Sequence, residues 1–356
     1  LHSDGRMTYM YYPASGRESK GNNMIRQWMA SVALTRMALR SGDPDDLSAA
    51  ERNIRYNLDH YFLVEGGLGL IEYKGKVKLG AVALAALAIL EHPARDNFRE
   101  EFKALVATTD HLWREDGSFQ NFFRPAGMND NHNMNNFYPG EKLLLWDSML
   151  DRARDSERVE RFMLSFRYYR DWHLDNRKPS FIPWHTQAYY MLWQQTGDVD
   201  LRDWVFEMND WLLGMQVNSR QAYDDTLGRF YDPAPERAHF GPPHASSTGV
   251  YLEGLVDAYR LAVEVGDESR VERYGEAMRM GLRSAMQLQF RDDASMWFVN
   301  NRQRVTGGLR TTVYNNVIRV DNVQHTLMGL MKILAYDEQA RAASAAQARP
   351  VILPDN

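Results

Sequence analysis

Glu141, Glu253, Asp321 and His325 are the side chains whose types and settings could carry acid–base chemistry. In Arg319-Val320-Asp321-Asn322-Val323-Gln324-His325 the aspartate and histidine are four residues apart, so on a helix both lie on one face within hydrogen-bonding reach. They read as an acid–base pair or as an ordinary surface contact; the run from Leu327 to Leu334 is too apolar for an exposed helix. In Phe137-Tyr138-Pro139-Gly140-Glu141 the proline suits the first helical position, which places Glu141 third, where the helix dipole favours a carboxylate. Glu141 therefore serves as a cap or aims into a pocket, the second because its Asn-rich, aromatic loop is more polar than capping requires. Glu253 falls about two turns into a helix that opens His244-Ala-Ser-Ser-Thr and continues through Leu252, Leu255 and Val256. A carboxylate buried there pairs with a neighbouring arginine or becomes a general acid whose pKa burial raises.

The companions of these four are polar clusters that open successive apolar segments. They include Arg26 after Asn22-Asn23, Lys78 after Lys76-Val77, Tyr138, Trp184-His185, His244 before Ser246-Ser247, and Arg319. The Trp184 ring offers a flat face to a sugar and the His185 imidazole a donor to a hydroxyl, although a packed core histidine is an equal reading. His132, His185, His244 and His325 come from separate segments without metal-ligand spacing, so no metal is expected. The chain lacks a dinucleotide glycine fingerprint after a strand, a phosphate loop and a Gly-x-Ser-x-Gly elbow, so no cofactor is expected and serine-hydrolase chemistry is disfavoured.

The elements that must position these residues alternate in type. Segments rich in small and apolar residues, at about 23–40, 78–91, 139–150, 183–196, 246–264 and 317–335, are each followed by a charged amphipathic one. The charged partners lie at about 45–60, 95–113, 155–172, 200–216, 268–289 and 336–348. Gly42-Asp43, Gly197-Asp198 and Gly266-Asp267 sit between the members of a pair, glycine for a left-handed helix end and aspartate for the next cap. Such joints make antiparallel helical hairpins. Between pairs, glycine–aromatic turns such as Gly66-Gly67-Leu68 and Gly307-Gly308-Leu309 read as small β-hairpins. A helix apolar around most of its girth needs burial on most sides, and an inner ring inside an outer ring provides it. The fold read from this is all-α: an (α/α)6 toroid of six helical hairpins, one domain over 1–356, with 1–21 as an N-terminal extension and 341–356 as a tail. An open superhelix of hairpins is the competing architecture.

Bulk properties narrow the partners. With 44% hydrophobic and 25% charged residues and a net charge of -5, nucleic acid is an unexpected partner. The most apolar run, Leu79 to Leu90, is too short to span a membrane. No cysteine is present, which removes disulfides, thiolate metal sites and cysteine nucleophiles. The start, Leu1-His2-Ser3-Asp4, has no initiator methionine or signal-like segment and reads as excised from a longer precursor, leaving the compartment open. Nine Trp, 18 Tyr and 15 Phe exceed what core packing usually takes and could supply stacking faces for sugar rings.

Six hairpins with glycine–aromatic turns, and apolar segments opening Tyr138-Pro-Gly-Glu141, Trp184-His185 and Arg319-Val-Asp321, resemble the six-hairpin glycosidase superfamily and its (α/α)6 relatives. The resemblance covers nearly the whole chain and implies a carbohydrate-active enzyme with its site at the mouth formed by the inner helices' N-terminal ends. It implies an oligo- or polysaccharide substrate and, first, a glycoside hydrolase, with Glu141 or Glu253 as proton donor and Asp321 as base or nucleophile. A second expectation is a lyase or epimerase on uronic acids, with Tyr138, His244 or His325 as base and Arg26, Lys78 or Arg319 neutralising a carboxylate. A third is a sugar-binding or assembly protein without catalysis. The oligomeric state stays open.

Overall fold

The computed structural model describes residues 1–218, 224–230, 244–291 and 293–347, the side chains of 342–347 excepted. Its helices begin and end where local chemistry says they should. The first, α1 (Met24–Ser41), is capped by Asn23, whose side chain accepts from the Arg26 amide, and it closes on Gly42 at φ 69°. Asp43 then accepts from the Asp45 amide and Pro44 opens α2 (Pro44–Tyr61). The same joint recurs at Gly197-Asp198, between α7 (Ile182–Thr196) and α8 (Val199–Leu213).

The remaining long helices are α3 (Leu79–Glu91), α4 (Arg99–His111), α5 (Tyr138–Leu150), α6 (Ser156–Asp175), α9 (Ala245–Glu264), α10 (Glu268–Gln287) and, after the single turn α11 (Arg302–Val305), α12 (Val320–Gln347). Helices α1, α3, α5, α7, α9 and α12 pack in that order, and α12 packs back on α1, so the inner ring is closed. Helices α2, α4, α6, α8 and α10 lie outside it, each against the inner helix that precedes it. This is the expected (α/α)6 toroid, and closure excludes the open superhelix. Every residue of α3 from Leu79 to Leu90 is buried, on the axial side as well as against α4. An element of that composition is stable only where packing surrounds it.

The sixth pair differs from the other five. The residues read as its second arm, 336–348, continue the first without a break, giving one 28-residue α12, and position 348 lies outside the described residues. The tail expected from Arg341 is helix as far as Gln347, and its remainder is likewise outside.

Two antiparallel sheets flank the mouth. In one, β3 (Phe62–Glu65), β4 (Leu68–Tyr73), β5 (Lys76–Lys78) and β6 (Phe122–Arg124) pair in sequence order, and β5 runs directly into α3. The other has the order β2-β1-β8-β7, built from β1 (Met10–Tyr12), β2 (Arg17–Glu18), β7 (Arg310–Thr312) and β8 (Asn315–Arg319). Met10 pairs with Arg319 and Tyr11 with Ile318, so the stretch expected as an extension is a working part of the sheet that leads into α12.

Deeper in the ring, polar groups meet in pairs. Arg36 holds Glu91 through bonds of 2.8 and 2.6 Å, and Lys332 reaches Gln187 at 2.8 Å and Asp257 at 2.5 Å. These pairs join neighbouring inner helices below the mouth, α1 to α3 and α12 to α7 and α9.

Candidate active site

The inner helices' first turns enclose a cavity of about 460 Å³. Its wall takes Arg26 from α1, Tyr138 and Glu141 from α5, Trp184 from α7, Ser246, Ser247 and Tyr251 from α9, and Asp321 and His325 from α12. Met134 and Phe137 close one side from the loop before α5. A wider hollow of about 650 Å³ lies on the outer wall beside Arg279 and Met286 of α10, away from these turns. Among the described residues no three His, Asp or Glu side chains converge as a metal site.

His325 donates or accepts at Nδ1 with Glu253 Oε1 at 2.6 Å, and Glu253 is wholly buried behind it. Since a buried carboxylate needs a donor, Nδ1 carries the proton and Nε2 keeps the lone pair. Nε2 has no hydrogen-bond partner among the described residues, and the Trp184 ring stands edge-on to the imidazole, 5.8 Å between centroids. The expected Asp321–His325 pair is therefore divided: the histidine's partner comes from α9. Glu253 does not line the cavity and reaches it only through His325.

Asp321 is gripped by two guanidiniums. Arg26 Nε and Arg319 Nη2 each lie 2.8 Å from Oδ2, and Arg319 Nε bonds Oδ1. Burial works against ionisation, but the Arg319 hydrogen bonds and the charges of Arg26 and Arg319 outweigh it and hold the carboxyl below its ordinary pKa. Arg26 is itself steadied by a 2.6 Å bond to the Tyr9 hydroxyl, and Arg319 Nη2 also reaches Ser246 Oγ at 3.3 Å.

Glu141 has the opposite environment. It is 1% exposed, its Oε2 has no hydrogen-bond partner, and burial pushes its pKa up to about 8 against a weaker pull from the Lys78 charge. The carboxylate lies over Gly80 of α3, where a Cβ would come within 1.7 Å of Oε2. The Tyr138 ring edge is also close, at 2.9 Å, but the nearest obstruction is the far end of the Glu141 side chain, which can move into the cavity. Gly80→Ala is expected to cost about 1–2 kcal/mol of stability. It should also lower the pKa of the displaced, better-hydrated carboxyl; thermal unfolding and a pH titration of the variant check both.

Of the remaining sequence candidates, Lys78 acts on Glu141 through its charge, and His244 caps α9, its Nδ1 accepting from the Ser247 amide at 3.4 Å. Burial, then the Arg319 charge, lower the His244 pKa. His185 does not reach the cavity. It is fully buried, bonds the Phe181 carbonyl at 2.9 Å, stacks on the Phe181 ring at 3.5 Å, and has its pKa pushed down to about 3 by burial. Consecutive helical residues point about 100° apart, so Trp184 and His185 cannot both face the mouth. Tyr251, Met134 and Tyr9 were not read from the sequence. Tyr251 follows Ser247 by one helical turn, a spacing that marks it; Tyr9 comes through sheet pairing, which leaves no local signal.

No protein-family model and no curated protein sequence matches the chain. Solved structures do. A D-mannose isomerase superposes with a TM-score of 0.66 at 11% identity, over 94% of this chain and 93% of that one. An unsaturated glucuronyl hydrolase specific for heparin gives 0.63 at 12% identity, over 95% and 93%. The cellobiose 2-epimerase of Spirochaeta thermophila gives 0.59 at 13% identity, over 88% and 87%. The likeness read in the sequence thus holds for the fold over nearly the whole chain.

Proposed function

We propose that the chain is a carbohydrate-active enzyme that moves a proton at a sugar carbon, an epimerase or isomerase, with His325 as base and Glu141 as acid. The observation that carries this is the 2.6 Å contact between His325 Nδ1 and the wholly buried Glu253. It sets the tautomer and ring orientation and balances the imidazolium that forms when Nε2 takes a proton. In this reading Glu253 is a positioning residue, and Asp321, bound to two arginines, is too weak a base for the step.

Ring order supports the pairing. Helices α5 and α12 are three places apart in a ring of six, so Glu141 and His325 stand on opposite walls. Packed helices lie 8–10 Å apart, which puts opposite axes roughly 16–20 Å apart. After both side chains are allowed for, the gap suits one sugar ring, with Trp184 along its face. Nε2 removes a proton from the carbon beside the carbonyl of an open-chain sugar, and the C–H electrons pass into the carbonyl oxygen. Return of a proton from the Glu141 side inverts that carbon; return to the former carbonyl carbon, with the adjacent hydroxyl's proton passing to the enediolate oxygen, converts aldose to ketose.

A second reading, glycoside hydrolysis, is favoured by one observation: Glu141, with its pKa pushed up to about 8, shares the cavity with an ionised Asp321. Glu141 would then protonate the glycosidic oxygen while Asp321 or His325 activates water. One assay separates them. Mono- and disaccharides incubated with the protein in deuterium oxide should gain carbon-bound deuterium without new reducing ends. New reducing ends with no C–D bond would instead establish hydrolysis. No turnover of any sugar that binds would leave a binding protein.

A further inference from the structure

Asp321 carries one negative charge and meets two guanidiniums. A helix pinned by a salt bridge needs one arginine, so the second leaves a surplus positive charge on the cavity wall. The donors are also in surplus: Arg26 Nη2 and Arg319 Nη1 have no hydrogen-bond partner among the described residues. Both side chains stay in contact with solvent, 33% exposed for Arg26 and 21% for Arg319, while Asp321 beneath them is 5% exposed. Among the described residues no other carboxylate in the cavity competes for them. Glu253 is committed to His325, and Glu141, with its pKa near 8, is neutral at pH 7.

Lys78 feels the same local excess of positive charge. Burial and then the Lys76 charge lower its pKa against the pull of Glu141, and Arg26 lowers it further. A positive mouth on a chain of net charge -5 is a local arrangement and draws anions to that point.

We propose that Arg26 and Arg319, aligned by Asp321, are a receptor for the carboxylate of an acidic sugar, so that the substrate class is a uronic or related sugar acid. The inference rests on the cavity being the sugar site. Asp321 holds the Arg319 fork through both oxygens and Arg26 through Nε, with Tyr9 on Arg26 Nη1, and the remaining N–H groups meet a planar carboxylate in the geometry that arginine, unlike lysine, offers.

Calorimetric titration of the protein at pH 7 and low salt with glucuronic acid, glucose and glucose 6-phosphate tests it. Glucuronate should bind roughly tenfold or more tightly than glucose, and the advantage should shrink as salt rises. Arg26→Gln and Arg319→Gln should each weaken glucuronate binding by roughly 10- to 100-fold while leaving glucose within about threefold. Arg319→Lys should recover only part of the loss, and thermal unfolding establishes that each variant is folded. Equal affinity for glucose and glucuronate, or a preference that survives both Gln variants, overturns the proposal. Tighter binding of the phosphate overturns the carboxylate assignment. Turnover of neutral sugars without uronate preference sinks this inference alone, whereas failure of every sugar to bind removes the cavity reading with it.

Discussion

His325→Asn is expected to lower kcat by about 10²–10⁴-fold on whichever sugar the protein turns over, with little change in KM. On the proposed mechanism the variant loses the nitrogen that takes the proton but keeps the cavity's shape and the Trp184 face. Glu253→Gln should approach the same loss although Glu253 touches no substrate, because the Gln amide can present a donor to Nδ1 and favour the tautomer with Nε2 protonated. Two residues acting as one unit do not add, so the double variant should be no slower than the worse single one. Steady-state kinetics of the three variants decide the matter. Multiplicative losses, or a Glu253→Gln enzyme at full rate, would show that the buried contact serves packing only.

Glu141→Gln is expected to lower kcat by about 10²–10⁴-fold and to erase an alkaline limb in kcat/KM near pH 8, above which the parent has lost its acid. The same change should stabilise the fold. A carboxyl with a folded pKa of about 8 and a reference value of 4.5 keeps a proton that the unfolded chain releases between those values. Its contribution to stability therefore falls as pH rises from about 4.5 and levels off above about 8. Glutamine has no such penalty, so the variant should gain about 3 kcal/mol at pH 7, and the gain should vanish by pH 4. Thermal unfolding across that range reads the effect directly. A variant that is less stable at pH 7, or equally active, would contradict this account of Glu141.

The toroid was legible because its cause is local. An all-apolar segment such as Leu79–Leu90 cannot exist as a helix without neighbours on every side, and the Gly42-Asp43 and Gly197-Asp198 joints mark where the chain must reverse. The same logic read more closely warns about the sixth pair: Leu334-Ala335-Tyr336-Asp337 contains no glycine and no break, and the helix runs through it. The mouth was legible for a related reason, since polar residues at the first turns of buried helices have few other places to face. What the spacing could not supply was the choice of partner. Asp321 and His325 share a helical face, yet Arg319 at the end of β8, Arg26 of α1 and Glu253 of α9 meet them first. Arg319 is local, two residues from Asp321, but Arg26 and Glu253 are brought by the packing of α1 and α9 against α12, which no local pattern encodes. His185 illustrates the converse: its spacing leaves a wall position and a core position equally open, and one step along the helix from Trp184 turns it into the core.

Below the cavity the inner ring is packed, α3 being buried from Leu79 to Leu90. If the cavity is the sugar site proposed above, a saccharide would enter and leave by the same side, and a free sugar or the last units of a chain would be what reaches Glu141 and His325. On that reading, a polymer threaded through the middle would not fit, and each turnover would end with the occupant backing out past Arg26 and Asp321.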